Sequence, residues 1–416
     1  MLNLLRKTSL YKIGLKLWST NKNYVEEAKR LFNKGVYDYI ELYAVPNSYT
    51  EYFELWEKTG IPFVVHAPHF REKMNLAKKE NEELNLKLAK ETLLFADSLN
   101  SEIVIFHPGI DGDINETIRQ LRKIDDPRIV VENKPYYALD DGLICNGFSP
   151  GDISRIINEA KVGFCLDVGH SVCAANARKV NPMNYLDDFI SLNPKMYHFT
   201  DGDYMGVYDK HAHLGEGTFN ISELLDKVKD GSMITIETTK NSNENLNDFV
   251  LDVDYVRENK LSFELANSKD LMDVYILSND TDVRKKSFNS NPISLEDHTK
   301  WFNSKIKDNN SVYYVIRNMK NNFVSQIRFD KIAGCNDWVV GISISPKYRG
   351  KKLSSMLLKS AISKLHINKN VTGVYAYVKE ENIPSIRSFQ KAGFMAVGKE
   401  LVQGSESIKL RYVHEN

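Results

Sequence analysis

Short apolar runs rich in Val, Ile, Phe and Tyr recur eight times in the first 258 residues: Ile13–Trp18, Tyr37–Tyr43, Pro62–His66, Glu102–His107, Arg128–Glu132, Val162–Asp167, Met196–Thr200 and Met233–Glu237. Their length and β-branched content predict buried strands. Between them, apolar positions follow a helical period over Tyr24–Asn33, Glu82–Ser98, Ile114–Arg122, Asp152–Glu159, Tyr185–Ser191 and Ile221–Val228, with a last helix over Glu244–Glu258. Eight strand-helix alternations in roughly 250 residues predict a (β/α)8 barrel. An open doubly wound sheet is the alternative, and the count closing at eight favours the barrel.

From residue 259 the pattern changes. A strand (Leu261–Leu265) leads to helices Leu271–Ser278 and Leu295–Ile306 and a meander Ser311–Arg317, Phe323–Asp330, Trp338–Ser345. Helix Leu353–Lys364, strand Val371–Val378 and helix Ile383–Ala392 follow. The reading is a second, α+β domain over 259–416 after a barrel over 1–258. No Gly/Ser-rich linker marks the join, so element counting alone places it.

Charge sharpens this division. The 416 residues carry no net charge, yet residues 1–258 hold 30 Lys and Arg against 40 Asp and Glu, and residues 259–416 hold 25 against 15. An acidic barrel is a poor grip for a phosphate backbone unless metal ions offset its charge. No apolar run reaches membrane-spanning length. Met1–Lys16 is interrupted by Arg6, Lys7 and Lys12 and lacks a small-residue cleavage site, so no leader is expected. Cys145, Cys165, Cys173 and Cys335 have no CxxC spacing and read as reduced thiols of a cytoplasmic protein.

The chemistry lies where the strands end. A (β/α)8 barrel builds its site at the C-terminal ends of its strands. Here those ends carry His66, His107, Glu132, Asp167, His198 and Glu237, with His170, Asp209 and His211 in the following loops. A single such residue is more often structural. Six strands in a row ending in His, Asp or Glu converge on one mouth, where unscreened carboxylates would repel each other. Imidazole with carboxylate suits Zn, Mn, Fe or Co. His69 and His213 stand beside the pattern as substrate contacts or structural residues. Lys134 is read mainly as solvated, and Glu41 and Tyr43 as residues that could meet substrate hydroxyls.

The stretches Val-His-Ala-Pro (65–68), Phe-His-Pro-Gly (106–109), Val-Glu-Asn (131–133), Cys-Leu-Asp-Val-Gly-His (165–170), His-Phe-Thr-Asp (198–201), Asp-Lys-His-Ala-His-Leu-Gly-Glu-Gly (209–217) and Ile-Glu-Thr (236–238) resemble, in order, the xylose isomerase-like barrels. That superfamily includes endonuclease IV and sugar isomerases and epimerases. The resemblance to endonuclease IV implies up to three divalent metals: one on His66, His107 and bridging Glu132; a second on Glu132, Asp167, His198 and Glu237; a third on His170, Asp209 and His211. The epimerases resemble the second group alone, and there Glu132 and Glu237 would also be the acid/base pair. Two chemistries follow: sugar isomerisation or epimerisation, and metal-cluster phosphoester hydrolysis.

In the second domain, Ile342-Ser-Ile-Ser-Pro-Lys-Tyr-Arg-Gly-Lys-Lys-Leu-Ser-Ser-Met-Leu-Leu358 reads as a strand, a basic loop and a helix. Backbone amides at such a helix start suit a pyrophosphate. With Glu380–Phe394 it resembles the acyl-CoA motif of GNAT N-acetyltransferases. The resemblance implies that Arg349, Gly350, Lys351, Lys352, Leu353 and Ser354 bind acetyl-CoA and that Asn382 meets its pantetheine arm. The family's loop favours glycine where Lys352 and Ser354 stand, and the usual thiolate-protonating tyrosine is Phe389, leaving Tyr348, Tyr375, Tyr377 or water. Asn279–Phe302 is similar to GNAT domains that acetylate 4-amino sugars in pseudaminic- and legionaminic-type pathways.

The combined expectation is a bifunctional enzyme of amino-sugar or surface-glycan synthesis. A metal-dependent isomerase or epimerase barrel acts on a sugar or sugar phosphate, beside an acetyl-CoA-dependent N-acetyltransferase acting on a nucleotide-linked amino sugar. The alternative is a zinc phosphoester hydrolase, with DNA repair less favoured. A scaffold with structural metal is the non-enzymatic rival. Neither nucleic acid nor membrane is an expected partner, and the sequence leaves oligomeric state, including a homo-oligomer, open.

Overall fold

The computed structural model describes residues 10–138 and 142–412. Most of the Met1–Lys16 segment, through Ser9, lies outside them. The chain divides into two compact units between Arg257 and Glu258.

In the first unit eight parallel strands close into a barrel: β1 Lys12–Trp18, β2 Tyr39–Tyr43, β3 Phe63–His66, β4 Val104–Phe106, β5 Ile129–Glu132, β6 Gly163–Asp167, β7 Met196–Phe199 and β8 Met233–Ile236. β8 pairs back onto β1, with Lys12 opposite Met233 and Leu15 opposite Ile236. The closed barrel replaces the open-sheet alternative. Two helices escaped the periodicity reading. Tyr49–Glu57 buries only Trp56, so it has no apolar stripe. Val168–Ala177 is buried over eight of its ten residues, so it has no polar face to alternate with.

Strand alternation builds the barrel interior in layers. Tyr39, Val64, Ile105, Val130, Cys165 and Met196 form an apolar plug, one from each of β2 to β7. On β1 and β8 the matching positions are Gly14 and Thr235, which pair with each other, and Gly14 also pairs with Tyr39. Two residues further along each strand a side chain points the same way. Those positions are Lys16, Glu41, His66, His107, Glu132, Asp167, His198 and Glu237. Every one can be charged.

The second unit is a seven-stranded sheet. Its strands are β9 Leu261–Leu265, β10 Ser311–Asn318, β11 Phe323–Lys331, β12 Asp337–Ile344, β13 Gly373–Lys379, β14 Phe394–Val402 and β15 Ser405–Tyr412. The order is β14-β15-β13-β12-β11-β10-β9, antiparallel except where β12 meets β13. Helix Leu353–Asn368 packs Leu357, Leu358, Ala361 and Leu365 on a core with Val340, Val374 and Ala376. The terminal hairpin and a short helix, Thr281–Lys286, were not read from the sequence. β14 is exposed along most of its length, so it shows no inward-outward alternation.

At Gly14 a Cβ would run into the Tyr39 ring, whose hydroxyl is held 2.9 Å from Thr235 Oγ1. Gly14→Ala is expected to overpack the plug and destabilise the protein by about 1–3 kcal/mol. Urea unfolding of the two proteins checks this, and equal midpoints would contradict it.

Candidate metal centre and acyl-donor pocket

The polar layer is knit together from its base. Glu41 is fully buried beneath the site. Its Oε1 accepts from Lys16 Nζ at 2.5 Å, and its Oε2 accepts from His198 Nε2 at 2.9 Å and Thr235 Oγ1 at 2.6 Å. Lys16 also reaches Glu237 Oε1 at 2.6 Å. Glu41 therefore does not face substrate hydroxyls, as the sequence suggested; both of its oxygens are engaged by protein donors. Lys16 was not read from the sequence at all. A lysine inside an alternating strand looks like an outward residue until the barrel closes.

Around this base the three inferred ligand sets reassemble in altered form. His66, His107 and Glu132 lie together, as do His170, Asp209 and His211, with one ligand atom from each residue within 4.8 Å of the others. The central set divides: Glu132 and Asp167 group with His170, while His198 and Glu237 group with Glu41. His198 Nδ1 still lies 3.3 Å from Glu132 Oε2 and 3.0 Å from Glu237 Oε1, which ties the two halves together.

Hydrogen bonds fix which nitrogen each imidazole offers. A backbone carbonyl only accepts, so a ring nitrogen bonded to one carries the proton. His66 Nδ1 donates to Ala67 O at 2.6 Å, His170 Nδ1 to Asn133 O at 2.9 Å and His211 Nδ1 to Glu237 O at 3.0 Å. Each leaves Nε2 facing carboxylates: Glu132 Oε2 at 3.3 Å from His66, and Asp209 Oδ2 at 3.3 Å from His170 and 2.8 Å from His211. This is how imidazoles are held for a metal.

Local sequence explains the fixity. Asp167 ends β6 and at once caps the next helix, its Oδ1 accepting from His170 N at 2.7 Å. The cap places His170 in the first helical turn. Asn133 clamps β5 to β6, donating to Asp167 O at 2.9 Å and accepting from Asp167 N at 2.7 Å.

A divalent ion fits this donor set. Asp167 Oδ2 and His198 Nδ1 are buried and without a hydrogen-bond partner, and Asp209 Oδ2 is shared between the Nε2 atoms of His170 and His211. Such atoms are costly unless something cationic meets them. Burial lifts the Asp167 carboxyl to about 6, with His170 opposing the rise. Burial also opposes a charged His170, but Asp167 outweighs it and raises the imidazole to about 10.

Other polar residues sort themselves by partner. Lys134 is half-buried beside Glu132 Oε1 at 3.0 Å and His107 Nε2 at 3.4 Å, paired rather than simply solvated. His69 lines the pocket, stacked 5.6 Å from His107, and burial brings its ring down to about 3. His213 is structural: Nδ1 pairs with Asp252 at 2.8 Å and Nε2 with Asn241 at 3.0 Å. Tyr43 lines the pocket and donates to Glu72 at 2.5 Å. The pocket above the layer holds about 380 Å³, and Trp18, Phe70, Met74, Ile110 and Tyr137 give it an apolar wall.

The second unit has its own pocket of about 350 Å³, lined by Arg349, Gly350, Lys352, Leu353, Ser354 and Asn382 together with Tyr348, Tyr377 and Phe389. Lys351 and Tyr375 are not among its lining residues. Lys352 sits at the start of helix Leu353–Asn368 with a left-handed φ of 58° and no side-chain cap. The missing Gly is thus accommodated by a strained lysine, and the first helical amides keep no side-chain acceptor. Arg349 is spent within the protein, bonded to Asp280 at 2.6 Å, Asp282 at 3.1 Å and Ile344 O at 3.0 Å. Asn382 caps its own helix through Ser385 N at 3.4 Å.

Comparison with known proteins agrees with both units. Residues 28–258 match the model of the xylose isomerase-like TIM barrel, and residues 260–395 match that of the acetyltransferase (GNAT) domain. An uncharacterized protein of Methanocaldococcus jannaschii is 24% identical over 249 residues, 55% of this chain and 78% of that one. A probable endonuclease 4 of Mycobacterium bovis is 28% identical over 195 residues, 43% of this chain and 73% of that one. A putative phosphinothricin acetyltransferase of Bacillus subtilis is 27% identical over 143 residues, 33% of this chain and 86% of that one. No helix among the described residues is long and apolar enough to cross a membrane. The chain belongs to the xylose isomerase-like TIM-barrel family and carries a GNAT acetyltransferase domain C-terminal to the barrel.

Proposed function

We propose that the barrel is a metal-dependent sugar isomerase or epimerase and that the GNAT domain acetylates an amino group of a sugar, the two serving one amino-sugar pathway. The carrying observation is that Glu132 and Glu237 both reach His198 Nδ1, at 3.3 and 3.0 Å, and both line one pocket. Glu132, Asp167, His198 and Glu237 would hold a divalent ion. When bound, that ion supplies Lewis-acid polarisation of a substrate carbonyl. One glutamate takes the proton alpha to the carbonyl and the other returns one. Burial opposes ionisation of Glu132, but Lys134, His107 and His198 outweigh it and keep the carboxylate ready to accept. His198 and Lys16 do the same for Glu237. The apolar wall excludes water and suits a small sugar better than a duplex.

Trinuclear phosphoester hydrolysis is the second reading. It is favoured by the His170, Asp209 and His211 set, where carbonyls hold both imidazoles with Nε2 turned toward Asp209.

In the second unit, the uncapped amides after Lys352 suit the pyrophosphate of acetyl-CoA. Tyr348 and Tyr377, which line the pocket where Phe389 cannot donate a proton, are the groups to protonate the thiolate.

Three outcomes test these assignments. Metal-loaded protein in D2O is expected to place deuterium at the carbon next to the carbonyl in a panel of ketoses and N-acetylamino sugars. Glu132→Gln and Glu237→Gln should each slow this by about 10²–10⁴-fold. Absence of exchange together with phosphate release or cleavage of abasic duplex would replace the isomerase reading with the hydrolase. Chelation of the metal is expected to lower the Tm reversibly, because the buried carboxylates lose their counter-ions; an unmoved Tm contradicts bound metal. Ser354→Asp places a carboxylate in the first turn of helix Leu353–Asn368. It should stabilise the helix by about 0.3–1 kcal/mol yet weaken acetyl-CoA at least tenfold by calorimetry, and unchanged affinity would move the pyrophosphate elsewhere.

A further inference from the structure

We infer that Lys16 and Glu41 form a positioning pair that forces His198 to offer Nδ1 to the metal, whereas His66, His170 and His211 offer Nε2. The inference rests on the metal reading above and adds residues that the ligand pattern does not contain.

The hydrogen-bond directions leave one solution. Lys16 Nζ can only donate, and it occupies Glu41 Oε1 at 2.5 Å. Thr235 donates to Oε2 at 2.6 Å, while Tyr39 sits 2.9 Å from the same threonine oxygen and supplies it a proton in turn. Glu41 is fully buried, and both of its oxygens are engaged by protein donors. A carboxylate so held accepts at both oxygens, so the proton of His198 must lie on Nε2, 2.9 Å from Oε2. The lone pair is then on Nδ1, the buried atom without a hydrogen-bond partner that faces Glu132 and Glu237. Lys16 also holds Glu237 Oε1 at 2.6 Å, so one ammonium acts on two of the four central groups, His198 through Glu41 and Glu237 directly. In the Glu41, His198 and Glu237 grouping both Glu41 oxygens are already engaged by protein donors, Oε1 by Lys16 and Oε2 by His198 and Thr235.

Glutamine at position 41 reverses the polarity at constant shape. Lys16 keeps the amide oxygen at its side, which turns the NH2 group toward His198 Nε2. His198 must then accept at Nε2 and carry its proton on Nδ1, aimed where the metal would bind. Replacing Lys16 as well frees the amide to flip, returning its oxygen to His198.

The test is zinc binding by the full chain. Three measurements are needed: zinc per chain, zinc affinity by competition with a chromophoric chelator, and a crystal structure of the zinc-loaded wild type. Expected are a zinc bonded to Nδ1 of His198, a 10–100-fold loss of affinity at that zinc in Glu41→Gln, and a smaller loss when Glu41→Gln is added to Lys16→Met than when it is made in the wild type. Zinc bound through His198 Nε2 overturns the inference with no variant needed. So does Glu41→Gln with unchanged affinity, or a double variant as weak as the two losses combined. A wild type that holds no zinc, manganese or cobalt overturns the metal reading itself.

Discussion

Everything in the barrel depends on the two-residue repeat of its strands. Because successive side chains point to opposite sides, the residue two beyond each plug position must enter the interior again. The chain uses that geometric necessity eight times, setting Lys16, Glu41, His66, His107, Glu132, Asp167, His198 and Glu237 on an apolar floor. The floor makes the layer above it chemically useful. It keeps water from entering below and lowers the dielectric, so each charge is felt strongly by the others.

That arrangement is expensive for the fold. Glu41, Glu132, Asp167, Asp209 and Glu237 bring five carboxylates into one buried region, and Lys16 and Lys134 are the lysines paired with them. The shortfall of three positive charges must come from protonated imidazole or from metal. Part of the stability of the barrel is therefore lent by whatever occupies its site, and site and fold cannot be optimised separately. The helix cap of Asp167 shows the same economy. One carboxylate oxygen starts a helix, and the other is left free for the site.

Much of this was legible in the sequence, for reasons that can be named. Strand ends such as Val-Val-His66 and Val-Val-Glu132 join an apolar run to a single polar residue, a contrast that survives without any structure. Lys16 and Glu41 carry no such contrast, since Leu-Lys-Leu and Ile-Glu-Leu are ordinary alternation in a half-exposed strand. Only closure of β1 onto β8 reveals that both are interior. Arg349 shows the opposite error: a basic residue in an anion-binding loop is chemically apt, but Asp280 and Asp282, nearly seventy residues away in sequence, claim it first.

The two units handle negative charge by unlike means, and this bears on what each does. In the second unit the helix start at Lys352 offers backbone amides, which carry partial charge and cannot titrate. Such a site suits a ligand that brings a permanent anion and leaves intact, as a nucleotide carrier does. In the barrel the cationic side is built from lysines and from the site's own capacity for metal, set against ionisable carboxylates on the same floor. Groups there can accept and return protons, which a helix terminus cannot. The two roles proposed above, carrier binding in one unit and proton transfer in the other, accord with whether the charge is made by backbone or by side chain.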